Sequence, residues 1–293
     1  MGYSPAVDLE FRLVDVFAER PLAGNQLCVV LGAAGLDPDL MQSLAREIGF
    51  SETTFVTEVR GDRYAMRIFT PGMEMAFAGH PTLGTAFVLV SEGLVSSPVT
   101  QIVAAGEFRV EADPAAGRAA VRQHPAVFGA TVGPPDRVAT AIGLRGEDLH
   151  PAWEPRAVST GLPQLMVPAT GSEAVVAARP DPVAVQDLLD EVAADSLYLF
   201  AETGPGTAKA RMFANDLGVA EDPATGSAAG PCGAYLAEHG GAGLPGIGRL
   251  AIRQGEEIGR PSLLEIDVER EGDAWVPTVG GGVHLVGRGL FTL

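Results

Sequence analysis

Lysine is nearly missing from this chain of 293 residues: of its 20 basic residues, only Lys209 is a lysine. A pyridoxal-type enzyme needs a Schiff-base lysine. Lys209 stands two residues before a core-like strand, Arg211-Met212-Phe213, which disfavours that chemistry. Cysteine is as scarce. Cys28 and Cys232 lie in apolar or Gly/Ala-rich settings without C-x-x-C spacing, so neither a zinc site nor a disulfide framework is expected and both read as packing residues. No apolar run reaches the ~18 residues of a membrane span. Met1-Gly2-Tyr3-Ser4 begins no basic and then apolar leader, so a cytoplasmic protein without a membrane partner is expected. Positive charge is short as well. With 37 acidic residues against 20 basic ones the net charge is −17, which repels nucleic acid. The P-loop, the Rossmann glycine fingerprint, H-E-x-x-H and G-x-S-x-G are all absent, and with them the motif-based case for those enzyme classes.

What remains is a globular chain, 46% hydrophobic and long enough for two domains with a core each. Two of its loops look like copies: Ala78-Gly79-His80-Pro81-Thr82-Leu83-Gly84, and the stretch from Glu221-Asp222-Pro223 through Thr225-Gly226-Ser227 to Gly230. Each follows an Arg-apolar-Phe strand signature and leads into an apolar run of small residues. A loop that opens a helix exposes unpaired backbone N–H groups, which attract a carboxylate or oxyanion. Two of them predict a two-lobed site for a small anionic metabolite.

The repeat extends well beyond the loops. A shift of 144 residues lays Asp37-Pro38 on Asp181-Pro182, Gln42 on Gln186, Glu47 on Glu191, Glu58 on Glu202, Arg67 on Arg211 and Phe69 on Phe213. Leu40, Met41, Leu44, Ala45 and Ile48 fall on Ala184, Val185, Leu188, Leu189 and Val192, the stripe of an amphipathic helix with an Asp-Pro start. Earlier strands match less cleanly, Gln26 to Val30 resembling Gln164 to Pro168 at a shift of 138. One extra residue before the second loop would set Ala78 opposite Pro223. An internal duplication follows, with a first domain over 1–127, a second over 128–286, and a ligand cleft between them.

Val14-Asp15-Val16-Phe17, Gly24-Asn25-Gln26, Ser51-Glu52-Thr53-Thr54-Phe55, Ala78-Gly79-His80-Pro81-Thr82, Asp222-Pro223-Ala224-Thr225-Gly226-Ser227-Ala228 and Glu257-Ile258-Gly259-Arg260-Pro261-Ser262 run in that order over nearly the whole chain. In this the sequence resembles the PhzF-like (phenazine biosynthesis) family. The resemblance implies an α+β protein of diaminopimelate-epimerase-like fold, with two pseudo-symmetric lobes. Each lobe is a curved mixed sheet wrapped around a central helix, and residues 287–293 are candidates to return to the first lobe. It further implies a homodimer and a cofactor-independent isomerase, with no metal, acting on a cyclic dienoic acid such as trans-2,3-dihydro-3-hydroxyanthranilate.

In the related two-cysteine racemases a thiol opens each loop, where this chain has Ala78 and Pro223, so a two-cysteine mechanism is not expected. By resemblance Glu52 is the single acid/base instead. It follows an amphipathic helix and precedes the apolar pair Phe55-Val56, a place from which it can project into a dry cleft, where burial raises a carboxyl pKa. An ordinary solvated helix-end glutamate is the bland alternative. His80, Asp222 and Ser227 are the other family positions in catalysis, or else a carbonyl-bonded imidazole, a helix cap and a loop serine. Gly79, Gly226 and the amides around Thr82 and Ser227 are candidates to hold the carboxylate, with Asn25, Gln26, Arg260 and Ser262 as further substrate contacts. A non-catalytic binder of an anionic metabolite and a racemase with non-cysteine bases stay open as alternatives. His124, His150, His239 and His284 match no family position.

Overall fold

A computed structural model describes residues 8–214, 221–241 and 248–293. Two helices, Gly79–Ser91 and Gly226–His239, set the architecture. Both are built from small and apolar residues on every side, and Gly79 through Leu89 are all buried, as are most of Gly226 through Ala237. A helix without a polar face cannot lie on a surface and must be enclosed. Strands enclose each one.

Around the first helix the pairings close on themselves. Asp8–Val16 pairs with Asn25–Val30, which runs parallel to Glu52–Arg60. Arg63–Phe69, Val99–Val103, Gly106–Asp113 and Arg118–Arg122 continue the order. The long final strand Ala274–Thr292 completes it: Thr278 to Gly282 pair with Arg118–Arg122, and Val283 to Thr292 return to Asp8–Val16. The other strands pair in the order Val127–Thr131, Arg156–Ser159, Pro163–Pro168, Ser196–Gly204, Thr207–Phe213, Gly248–Gln254, Ser262–Glu271 and the start of the final strand, and the second helix packs against several of them. The result is a mixed sheet with few helices. A single apolar core runs through both central helices, from Leu83 and Leu89 to Tyr235 and Leu236.

The duplicated stretch folds twice in the same way. Helices Pro38–Ile48 and Pro182–Val192 each begin with proline behind an aspartate cap: Asp37 accepts from the Asp39 N–H, and Asp181 from those of Val183 and Ala184. Strands Glu52–Arg60 and Arg63–Phe69 recur as Ser196–Gly204 and Thr207–Phe213, each bound shifted by 144. Beyond them the offset grows. Glu74 pairs with Phe69 as Glu221 pairs with Phe213, and the forked ion pair Arg67 to Glu74 recurs as Arg211 to Glu221. The two central helices therefore start 147 residues apart, at Gly79 and Gly226. The extra length lies between Phe213 and Glu221, so Ala78 is matched by Thr225, not by Pro223, and His80 by Ser227.

Candidate active site

Strand geometry aims Glu52. Successive side chains of a strand alternate between faces, which puts Glu52 on the side of Thr54 and Val56, away from Thr53 and Phe55. Thr54 bonds Thr85 on the first central helix at 2.9 Å, and Val56 belongs to the central core, whereas Phe55 packs outward against the helix Pro38–Ile48. Glu52 is the first residue of its strand and so sits level with the start of the central helix. There its Oε2 comes to 3.6 Å from His80 Nε2. Both atoms are buried, and neither has a hydrogen-bond partner among the described residues.

The two central helices meet end to end at this point. A Cβ on Gly79 would stand 2.8 Å from Ser227 N and 2.9 Å from Gly226 Cα, so only glycine allows the approach. Neither helix start is capped by its own N-cap side chain, Ala78 or Thr225, in contrast to the aspartate-capped outer helices. Two positive helix ends thus face each other, an arrangement that favours an anion between them. The amides of Gly79, His80, Gly226 and Ser227 precede the first intrahelical bonds. Pro81 has no N–H, and in the second helix Ala228 and Ala229 already donate to Thr225 O.

Asp222 and Asn25 complete the cluster. Asp222 Oδ1 accepts from Asn25 Nδ2 at 2.8 Å, and Oδ2 from Thr225 Oγ1 at 2.7 Å. Burial pushes the Glu52 carboxyl up to about 8, helped by the charge of Asp222, while the nearby Ser51 hydroxyl opposes the rise. Burial also raises Asp222, to about 6, against the pull of its two donors. His80 is driven down to about 3 by burial, with the Gln26 backbone bond acting the other way, so its ring is neutral. Burial therefore favours the neutral forms of Glu52 and of the His80 imidazole, beside an Asp222 whose two donors pull the other way. Such a set can give a proton to one carbon and take one from another.

Glu52, Gly79, His80, Asp222, Gly226 and Ser227 line one cleft. The cleft is narrow, with about 30 Å³ open to the centre of a water-sized probe. A wider groove of about 760 Å³, lined by Arg118, Glu265 and Gly280 among others, contains none of these residues. Five expected contacts, Asn25, Gln26, Thr82, Arg260 and Ser262, do not line the cleft. Thr82 is fully buried, donating to Ala78 O at 2.8 Å and accepting from Gln101 Nε2 at 2.9 Å. The Gln26 side chain is not in the lining, although its backbone bonds His80. Arg260 binds Asp15 Oδ1 at 2.6 Å and the carbonyls of Ala23 and Gly24, and Ser262 donates to Arg260 O. Both belong to a clamp between the halves. Asn25 is at the site, but its donors are spent on protein.

The opposite wall holds residues that motif reading passed over. Gln164 and Ser196, 2% and 1% exposed, line the cleft, and the Ser196 hydroxyl donates to Gln164 Oε1. The repeat carried their signal, since Ser196 stands opposite Glu52 at the shift of 144 and Gln164 opposite Gln26 at 138. Met75, Phe77, Leu162 and Met212 add apolar wall, and no sequence pattern marks them.

Comparison with known proteins bears on the family and the fold. Residues 14–286 match the family described as phenazine biosynthesis-like protein. The trans-2,3-dihydro-3-hydroxyanthranilate isomerase of Pseudomonas fluorescens is 35% identical, over 97% of this chain and 99% of its own. Among solved structures, a phenazine biosynthesis protein of the PhzF family from Bacillus anthracis superposes with a TM-score of 0.87 at 26% identity, covering 98% of this chain and 100% of that one. A predicted epimerase from Pseudomonas aeruginosa gives 0.82 at 36% identity, covering 97% and 99%. On sequence and fold alike, this chain belongs to the phenazine biosynthesis-like, or PhzF, family of isomerases.

Proposed function

We propose that this isomerase moves a proton between two carbons of a small carboxylate-bearing substrate, with Glu52 as its general acid/base and no cofactor. One observation carries the reading: a buried, unpartnered carboxyl oxygen of Glu52 faces an equally unpartnered His80 Nε2 at 3.6 Å, between two uncapped helix starts. The amides of Gly79, His80, Gly226 and Ser227 hold the substrate carboxylate. Glu52, protonated at neutral pH, delivers its proton to one carbon as the substrate's π electrons shift, and the resulting carboxylate takes a proton from the other. The catalyst ends as it began. Neutral His80 stands beside the carboxyl without competing for its charge, and Asp222 favours the positive charge that builds on the substrate once a proton has been delivered.

The name of the Pseudomonas fluorescens relative makes trans-2,3-dihydro-3-hydroxyanthranilate the first substrate to try. The finer architecture belongs to the same reading: two pseudo-symmetric lobes of diaminopimelate-epimerase-like fold, 1–127 with the chain's last residues and 128–286, in a cytoplasmic homodimer. A racemase with two thiols finds no support at Ala78 and Thr225, the two loop-opening positions. Glu52→Gln preserves shape and removes the titrating group. It should lower turnover about a thousandfold or more, a loss within the range of general acid/base catalysis combined with a disturbed site. Substrate binding, read by calorimetry, should persist. Undiminished turnover in that variant sinks the assignment.

A further inference from the structure

We propose that Asn25 is a positioning residue, not a substrate ligand, and that it holds Asp222 from across the cleft in a fixed orientation towards Glu52 and His80. Asn25 is 1% exposed and belongs to the first half of the chain, and Asp222 to the second. The two amide hydrogens of Asn25 are both taken, by Asp222 Oδ1 at 2.8 Å and Ala224 O at 3.0 Å. Its Oδ1 in turn accepts from the Ser51 hydroxyl at 2.9 Å, next to Glu52. A third contact, to His80 Nδ1 at 3.1 Å, shares the same two hydrogens, so none is left for a substrate carboxylate. His80 Nε2, without a partner among the described residues, turns towards Glu52 at 3.6 Å.

Asn25 is itself anchored from the second half. Gly24 donates to Pro261 O at 2.9 Å, and Arg260 grips the carbonyls of Ala23 and Gly24. This explains why Gly24-Asn25 and Arg260-Pro261, far apart in sequence, belong to one device. The groups that face Asp222 are Glu52 and His80 across the cleft and Tyr198 behind it, through Gln254, whose Nε2 donates to Asp222 O at 2.8 Å. Among the described residues the donors to the carboxylate are neutral, Asn25 and Thr225. Their hold favours negative charge on Asp222, and that charge in turn favours a protonated Glu52.

The consequence for catalysis rests on the acid/base reading of Glu52, but the positioning claim does not, so the test uses the full chain without substrate. Carbon-13 NMR of labelled carboxyl groups, assigned with Asp222→Asn and Glu52→Gln, should show the Asp222 midpoint rising by about one unit in Asn25→Ala, a tenfold change in its ionisation constant. The Glu52 midpoint should fall at the same time. With trans-2,3-dihydro-3-hydroxyanthranilate as substrate, kcat should drop with KM little changed. An Asp222 midpoint that does not move in a folded Asn25→Ala overturns the proposal, as does a variant whose loss lies wholly in KM. Asn25→Ser is read in the same way if the alanine variant does not fold. A shifted Asp222 together with an active Glu52→Gln would remove the acid/base reading and leave the positioning role standing.

Discussion

At the residue scale, burial decides the protonation of the site, and stability should follow it with pH. The Glu52 carboxyl, ordinarily near 4.5, is pushed up to about 8, so the folded chain keeps a proton that the unfolded chain gives up. Its contribution is full below pH 4.5 and is lost as pH rises towards 8. His80 runs the other way. From an ordinary 6.5 it is driven to about 3, so folding is favoured by its neutral ring above pH 6.5, and that contribution is lost as pH falls towards 3. Unfolding titrations of the wild type and Glu52→Gln should therefore diverge between pH 5 and 9, the wild type losing about 3 kcal/mol more on the alkaline side. Parallel curves would show that Glu52 is solvated. His80→Gln should flatten the acid limb alone.

At the scale of elements, helix ends divide into two kinds, and each makes its own prediction. Asp37 and Asp181 cap outer helices, so replacing either with alanine should cost about 1 kcal/mol and leave turnover unchanged. The central helices are uncapped and meet at Gly79 and Gly226. Gly79→Ala drives a methyl to within 3 Å of Ser227 N and the Gly226 backbone. It should destabilise the fold by about 2 kcal/mol and abolish activity, as thermal melts and turnover assays would read. A variant with full activity would mean that the helix ends need not meet.

At the scale of the molecule, the two halves are tied by strands and by a buried clamp. The final strand pairs with both halves, while Arg260 reaches from the second half to Asp15 in the first, where the side chain of Asp15 is 3% exposed. Asp15 Oδ2 also accepts from the Leu22 N–H at 2.7 Å, which fixes the turn before Gly24. Arg260→Met leaves a buried carboxylate unpaired and should cost about 3 kcal/mol in denaturant unfolding. Because the clamp ends at Gly24 and the next residue is Asn25, the same variant should also lower kcat. A variant that is destabilised yet fully active would separate the clamp from the site.

Much of this was legible in the chain itself. The 144-residue repeat, the Asp-Pro helix starts, the paired loops and the position of Glu52 depend on local preferences: capping, periodicity and the glycine needed at close approach. Hydrophobic pattern sets which side of a strand is buried, and it puts Glu52 on the side of the cleft. The sequence could not reveal which polar groups satisfy one another across the halves. Asn25, Thr82, Arg260 and Ser262 all read as substrate contacts, yet their hydrogen-bonding capacity is taken up inside the protein, by residues as distant as Asp222 from Asn25 and Asp15 from Arg260. The offset of the second loop was misread for a similar reason, since an insertion between Phe213 and Glu221 is visible only when strand pairing fixes both ends. Local sequence decides where a helix begins and which residues face inward. The tertiary structure alone brings the two helix starts together and buries Glu52 beside His80, which pushes both away from their charged forms.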